Sequence, residues 1–211
     1  MIRHGSDNRV RRKAVWGTQV VLSAMLLTGA VFLSSCGEAV RQGEGSSYLI
    51  INSLQGASGA DPGTFGTFVH SDVLTDNTFF NDIGQATLQL GLKDPGSPSS
   101  PNDPSPNNWI TIDRYHVEYV RSDGRNVQGV DVPYAFDGAV TATVAGTTTL
   151  SFTLVRNQAK TEAPLAALVT NPAVVVTTIA KVTFYGHDQT GRGASVTGNI
   201  EVTFANFADP G

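Results

Sequence analysis

Apolar and polar residues alternate at period two in three separate stretches of this chain: Ala86, Leu88, Leu90 and Leu92; Leu150, Phe152 and Leu154; and Val196, Ile200, Val202 and Phe204. Successive side chains on a strand point to opposite faces, so this spacing gives each strand one apolar face to bury and one polar face for water. A helix carrying the same residues would scatter them around its axis. Adding β-branched enrichment and turn residues predicts strands at 48–54, 71–75, 85–93, 109–121, 138–144, 148–156, 174–187 and 194–205. Residues 109–121 alternate as well, but Ile110 and Ile112 lie on one parity and Tyr115, Val117 and Tyr119 on the other. A β-bulge near Asp113 and Arg114 brings both sets to one face. One short helix is expected, with Thr161 as its cap, Glu162 and Pro164 in its first turn and the apolar run 165–169 behind them. Strands in this number with one short helix predict an all-β sandwich that occupies 48–207 as a single domain, followed by a tail at 208–211. The 22 Gly and 10 Pro among 211 residues stay below the share, roughly a quarter, at which disorder becomes the default.

The N-terminal part follows a different logic. Arg3, Arg9, Arg11, Arg12 and Lys13 precede a 14-residue stretch, Val20 to Leu33, that carries no charge. A helix that spans a bilayer needs about 20 apolar residues, so this stretch has the length of a signal-peptide core. Leu33, Ser34, Ser35 and Cys36 follow it, and Cys36 is the single cysteine of the chain. One thiol excludes an internal disulfide framework and a cysteine-based zinc site. Residues 36–47 bear Gly and Ser but no aromatic residue, the composition of a flexible tether.

The Leu-Ser-Ser-Cys ending resembles the bacterial lipoprotein signal. That resemblance implies removal of residues 1–35, a diacylglycerol on the Cys36 thiol and acylation of the new amine, which together hold a protein stably at a membrane. With Gly37 after the cysteine, it implies the outer membrane. Loss of those residues takes five basic groups and Asp7 from totals of 14 and 18, leaving 9 basic and 17 acidic residues. An acidic domain without a Lys/Arg cluster repels phosphate backbones, so nucleic-acid binding is not expected.

Two motifs in the folded part carry a second resemblance. Tyr115-His116-Val117-Glu118-Tyr119, followed by Ser122-Asp123-Gly124, resembles the central strand and turn of fibronectin type III modules. The segment 183–191 (TFYGHDQTG) with Ala194-Ser195-Val196 is similar to the last hairpin of bacterial immunoglobulin-like modules. The layout is also similar to that of uncharacterised envelope lipoproteins. The implied fold is an immunoglobulin-like or fibronectin type III-like β-sandwich.

Few residues point to chemistry. After export the imidazole bases are His70, His116 and His187, and none lies beside a G-x-S-x-G turn, an H-E-x-x-H helix or a phosphate-binding loop. The expectation is therefore a noncatalytic protein without a cofactor. Asp72, Asp76, Asn77, Asn81 and Asp82 supply oxygen ligands of the kind Ca²⁺ takes, although their spacing matches no EF-hand; the alternative is a set of Asx-rich turns at strand ends. Five prolines at 95, 98, 101, 104 and 106 mark an extended, solvated insertion.

The expected function is a lipid-anchored module that binds or supports an envelope protein or glycan, with a dispersed-site enzyme and a subunit of a surface assembly as the other readings. The first strand should begin at the same end as the loops at 94–108, 145–147 and 187–193, which places that end toward the membrane. The opposite end, with 61–70, 124–137 and 161–169, then faces a partner. Phe65, Phe68, Tyr134 and Phe136 lie there as candidate contact residues.

Overall fold

The computed structural model describes residues 45–207; the signal segment 1–35, Cys36, the tether as far as residue 44 and the tail 208–211 lie outside the described residues. Ten strands follow in chain order: β1 (Ser47–Ala57), β2 (Phe68–Asp72), β3 (Asp82–Leu92), β4 (Gly96–Ser97), β5 (Ser100–Pro101), β6 (Ile110–Val120), β7 (Phe136–Val144), β8 (Thr147–Val155), β9 (Val176–Asp188) and β10 (Gly193–Ala205). β1, β3 and β8 form one antiparallel sheet in the order β1-β3-β8, and the second sheet runs β2-β10-β9-β6-β7. Only β2 departs from antiparallel pairing there, lying parallel to β10 with Phe68 opposite Glu201 and Asp72 opposite Ala205. The result is an all-β sandwich, the class expected from the periodicity, with β3 pairing β8 and β6 pairing β9 across long connections. β4 and β5 make a small hairpin inside the proline-rich insertion, which the sequence reading treats as wholly extended.

The alternating residues meet between the sheets. Leu88, Leu150, Phe152 and Leu154 from one sheet, and Val117, Val182, Phe184, Ile200, Val202 and Phe204 from the other, are buried in one core. The expected bulge is present: the register of β6 shifts between Ile112 and Arg114 against both β7 and β9. Asp113 and Arg114 are consecutively exposed, while Ile112 and Tyr115 are both buried. Without that extra residue, either the isoleucines or the tyrosines would face water.

Tyr115 and Tyr119 also tie the sheets together. The Tyr119 hydroxyl donates to the Leu154 carbonyl at 2.7 Å, and the Tyr115 hydroxyl accepts from the Thr153 amide at 3.2 Å. Both partners belong to β8, across the core. Burial pushes the Tyr119 phenol well above its ordinary range, so it stays a neutral donor. Gly138 makes room for Tyr115, because a Cβ there would lie 2.2 Å from the ring.

The helical segment begins earlier than expected and is broken. α1 spans Asn157–Thr161, and a 3₁₀ turn follows at Leu165–Leu168. Thr161 is therefore the last residue of α1, where its Oγ1 donates to the Gln158 carbonyl at 2.8 Å. Asn81 satisfies the first free amide instead, accepting from Asn157 N at 2.6 Å. Pro164 offers no amide and restricts the residue before it, which separates the two turns. Leu165 and Leu168 are buried beneath the break.

The two ends of the sandwich are also as expected. Asn108 Nδ2 donates to Ser46 Oγ at 2.6 Å, Ser47 Oγ donates to the Asn108 carbonyl at 2.7 Å, and Leu90 N donates to Gly146 O at 2.8 Å. These bonds gather the start of β1 with the insertion and the β7–β8 turn. They also correct the tether boundary, since Ser46 and Ser47 belong to the folded unit. The loops at 121–135 and 156–175 lie at the other end, where β6 and β8 finish. No helix among the described residues is long and apolar enough to cross a membrane.

Candidate functional site

The loop between β6 and β7 holds apolar side chains in water on a well-bonded frame. Val127 is 60% exposed, Val130 66% and Tyr134 49%. The loop's polar groups are bonded to one another beneath them. Arg125 places Nε and Nη2 on Asp131 Oδ1 at 3.1 and 3.0 Å, and Asp131 Oδ2 accepts from Val127 N at 3.3 Å. Gly129 N donates to the Val132 carbonyl at 2.8 Å, and Gln128 Oε1 accepts from Ala135 N at 3.1 Å. Val132 anchors the loop in the core. Gly129 has φ +75°, and a Cβ there would meet the Tyr134 hydroxyl at 2.3 Å, so a glycine lets the ring lie flat on the loop. At the loop's entrance the Arg121 guanidinium bonds Asp123 and holds its carboxyl down at about 2.

The other aromatic candidates divide. Phe136 is a correction: it is 8% exposed in the core, edge-on to Tyr115 at 6.3 Å, with the Arg156 guanidinium 4.5 Å from its ring centroid. Its parity in β7 turns it inward, which decides the matter against a contact role. Phe65 is partly buried. Phe68 is 55% exposed, but it stands on edge strand β2 and not at a loop tip. Its ring is 5.2 Å from that of His70, which stacks on Phe207 at 5.3 Å.

The acidic candidates are not gathered around one point. Asp76 and Asn77 have φ +48° and +58° and form the two-residue tip of a tight turn closed by reciprocal Thr75 and Thr78 backbone bonds. Asp and Asn tolerate that left-handed backbone, which accounts for their presence. Asp72 accepts from Thr75 Oγ1 at 2.5 Å and from Phe207 N at 3.0 Å. Asp82 is buried against Lys160, with Oδ1 2.8 Å from Nζ. An ammonium thus occupies one of the candidate calcium-ligand oxygens, and no group of three or more His, Cys, Asp or Glu is placed to hold a metal among the described residues. Beside the turn, Asn77, Thr78, Phe79, Asn157, Gln158 and Thr161 line a shallow open depression.

Two imidazole–carboxylate pairs lie on the outer face of the five-stranded sheet. His116 Nδ1 is 3.1 Å from Asp137 Oδ1, and His187 Nδ1 is 3.2 Å from Asp113 Oδ2. Between them the Arg114 guanidinium sits 4.1 Å over the Tyr185 ring. The bulge creates this patch by turning Asp113 and Arg114 to the same side. Sequence reasoning missed both pairs because their partners are 21 and 74 residues apart. Cross-strand register alone brings them together.

Asp188 shapes the last hairpin. Its Oδ1 accepts from Thr190 N at 2.8 Å, Thr190 Oγ1 at 2.6 Å and Arg192 N at 3.0 Å. Burial pushes the carboxyl up, and these bonds more than reverse it, so the group titrates below the ordinary Asp range. A depressed folded-state pKa adds stability above the unfolded value of about 3.9, and that stability is lost as pH falls through the folded one. Asp188→Ala should therefore cost about 1–2 kcal/mol in urea unfolding at pH 7. The difference from the unsubstituted chain should shrink below about pH 4. A penalty that does not change with pH would mean the carboxylate charge is not what holds the turn.

No family model matches the chain. No curated protein matches it either. Among solved structures it is similar to Northeast Structural Genomics Consortium target SoR45, determined by X-ray crystallography, at 10% identity over 76% of this chain and 86% of that one. The TM-score is 0.31, a likeness too slight to define a shared fold.

Proposed function

We propose that this chain is a noncatalytic, lipid-anchored protein of the bacterial envelope that binds another envelope protein through the 121–135 loop. The observation that carries the reading is the pinned display of Val127, Val130 and Tyr134. Exposed apolar side chains on a preordered backbone bind with little ordering cost, and a buried aromatic anchor commonly supplies much of an interface's energy. Apolar contacts of this kind suit a protein surface better than a glycan. The anchor follows from the Leu33-Ser34-Ser35-Cys36 signal, and the loop stands at the end of the sandwich away from the start of β1. An enzyme reading would fall on His116–Asp137 or His187–Asp113, where each imidazole has a carboxylate partner on an open sheet face.

The test is crosslinking of the native protein in its envelope, followed by quantification of the captured partner. Val130→Asp with Tyr134→Ala should lower capture about thirtyfold or more, the equivalent of one lost hot spot. Replacing 95–106 with a short linker should leave capture unchanged, and Cys36→Ser should remove the protein from the membrane fraction. Capture that survives the loop substitutions but is lost with the proline-rich segment would overturn the assignment, and a glycan as sole captured species would transfer it to another ligand class.

A further inference from the structure

Lys160 is the buried cation of this fold, 1% exposed, and Asp82 beside it is fully buried. Their environment has more order than an ion pair requires. Lys160 Nζ donates to Asp82 Oδ1 at 2.8 Å and to the Asp72 backbone carbonyl at 2.8 Å. Asp82 Oδ1 also accepts from Gly59 N at 2.8 Å, and Oδ2 accepts from Ser71 Oγ at 2.5 Å. An amine thus lies in hydrogen-bond contact with a carboxyl group, both buried, with two further donors on the carboxyl oxygens.

From this juxtaposition we propose that Lys160 and Asp82 condense to an intramolecular amide that clips α1 to the start of β3. A proton first passes from Nζ to Oδ1 along their hydrogen bond, giving a neutral amine and a carboxylic acid. Burial holds the Asp82 carboxyl above its ordinary range, against the opposing pull of Lys160. The Nζ lone pair then attacks Cγ and forms the N–C bond, and negative charge develops on Oδ2, where Ser71 Oγ already donates. A second proton moves from Nζ to the hydroxyl at Oδ1, the C–O bond breaks, and water leaves. Nothing is oxidised or reduced, and no co-reactant is consumed. The remaining N–H keeps its bond to the Asp72 carbonyl. Two forces favour the product: a fixed amine and acid react at a very high effective concentration, and condensation removes two charges from an interior that solvates them poorly.

The measurement is peptide mapping of the full chain, denatured before digestion so that the result does not depend on folding during the assay. The expected product is a branched peptide joining Lys160 to Asp82, one water lighter than its two parts, with no tryptic cleavage after Lys160. Lys160→Arg, whose guanidinium does not condense, should give only linear peptides. On a denaturing gel the unsubstituted chain should run faster than this variant, because the bond closes a loop between residues 78 apart. Recovery of Lys160 and Asp82 from the unsubstituted chain in separate, unmodified peptides overturns the proposal.

Discussion

Lys160→Met, which removes both the ion pair and any amide formed from it, is expected to lower the free energy of unfolding by about 3–5 kcal/mol, the range seen when one partner of a buried pair is removed. Lys160 reaches two elements at once, the Asp82 carboxylate at the start of β3 and the Asp72 carbonyl at the end of β2. Methionine fills nearly the same volume, so packing changes little. What remains is a fully buried Asp82 carboxyl with only Ser71 and Gly59 to satisfy it. Its charged form is then strongly disfavoured, and the folded state either takes up a proton or opens. The second measurement is the double variant Lys160→Met/Asp82→Leu, which has no stranded charge and should be more stable than Lys160→Met alone. If the single variant unfolds at the same urea concentration as the unsubstituted chain, the pair contributes nothing to the fold.

The sandwich was readable because strand periodicity is a local signal. Leu88, Phe152 and Val202 each announce an inward face within a few residues of neighbours, and the parity change between Ile112 and Tyr115 located the bulge before any partner strand was known. The helix was misplaced because Thr161 has a good capping side chain, while the group that caps α1 is Asn81, from a distant loop. Local propensity ranked the wrong residue, since tertiary contact decided the start.

The candidate site was less legible. Phe136 and Tyr134 are two residues apart and equally aromatic, yet the first is core and the second surface. Strand parity distinguishes Phe136 only once β7 is known to begin there. The exposed valines at 127 and 130 carry no motif, and what makes them notable is the ion-paired frame beneath them. Lys160 gave no signal at all. A lysine in an amphipathic helical turn reads as solvated, and its burial follows from β2 and β3 converging on α1, a fact of topology.

Phe184→Ala should cost about 3–5 kcal/mol, as large-to-small substitutions of buried aromatics do. Phe184 is fully buried in β9, with its ring edge-on to Phe152 at 5.3 Å and tilted against Tyr115 at 6.4 Å. Phe152 belongs to the three-stranded sheet and meets Tyr115 in turn at 5.2 Å, so these rings form one of the contacts between the two sheets. Removing one ring leaves a void between the sheets beside Tyr115, whose hydroxyl accepts from the Thr153 amide across the core. The expected thermal shift is a fall on the order of 10 °C, given the few degrees per kcal/mol typical of domains this size. The urea m-value should stay unchanged, because the area exposed on unfolding hardly alters. Phe184→Leu, which retains most of the volume, should lose less than half as much. Equal losses for Leu and Ala would place the cost in the ring-to-ring geometry and not in the cavity, and a negligible loss for both would mean that the sheets are held together elsewhere.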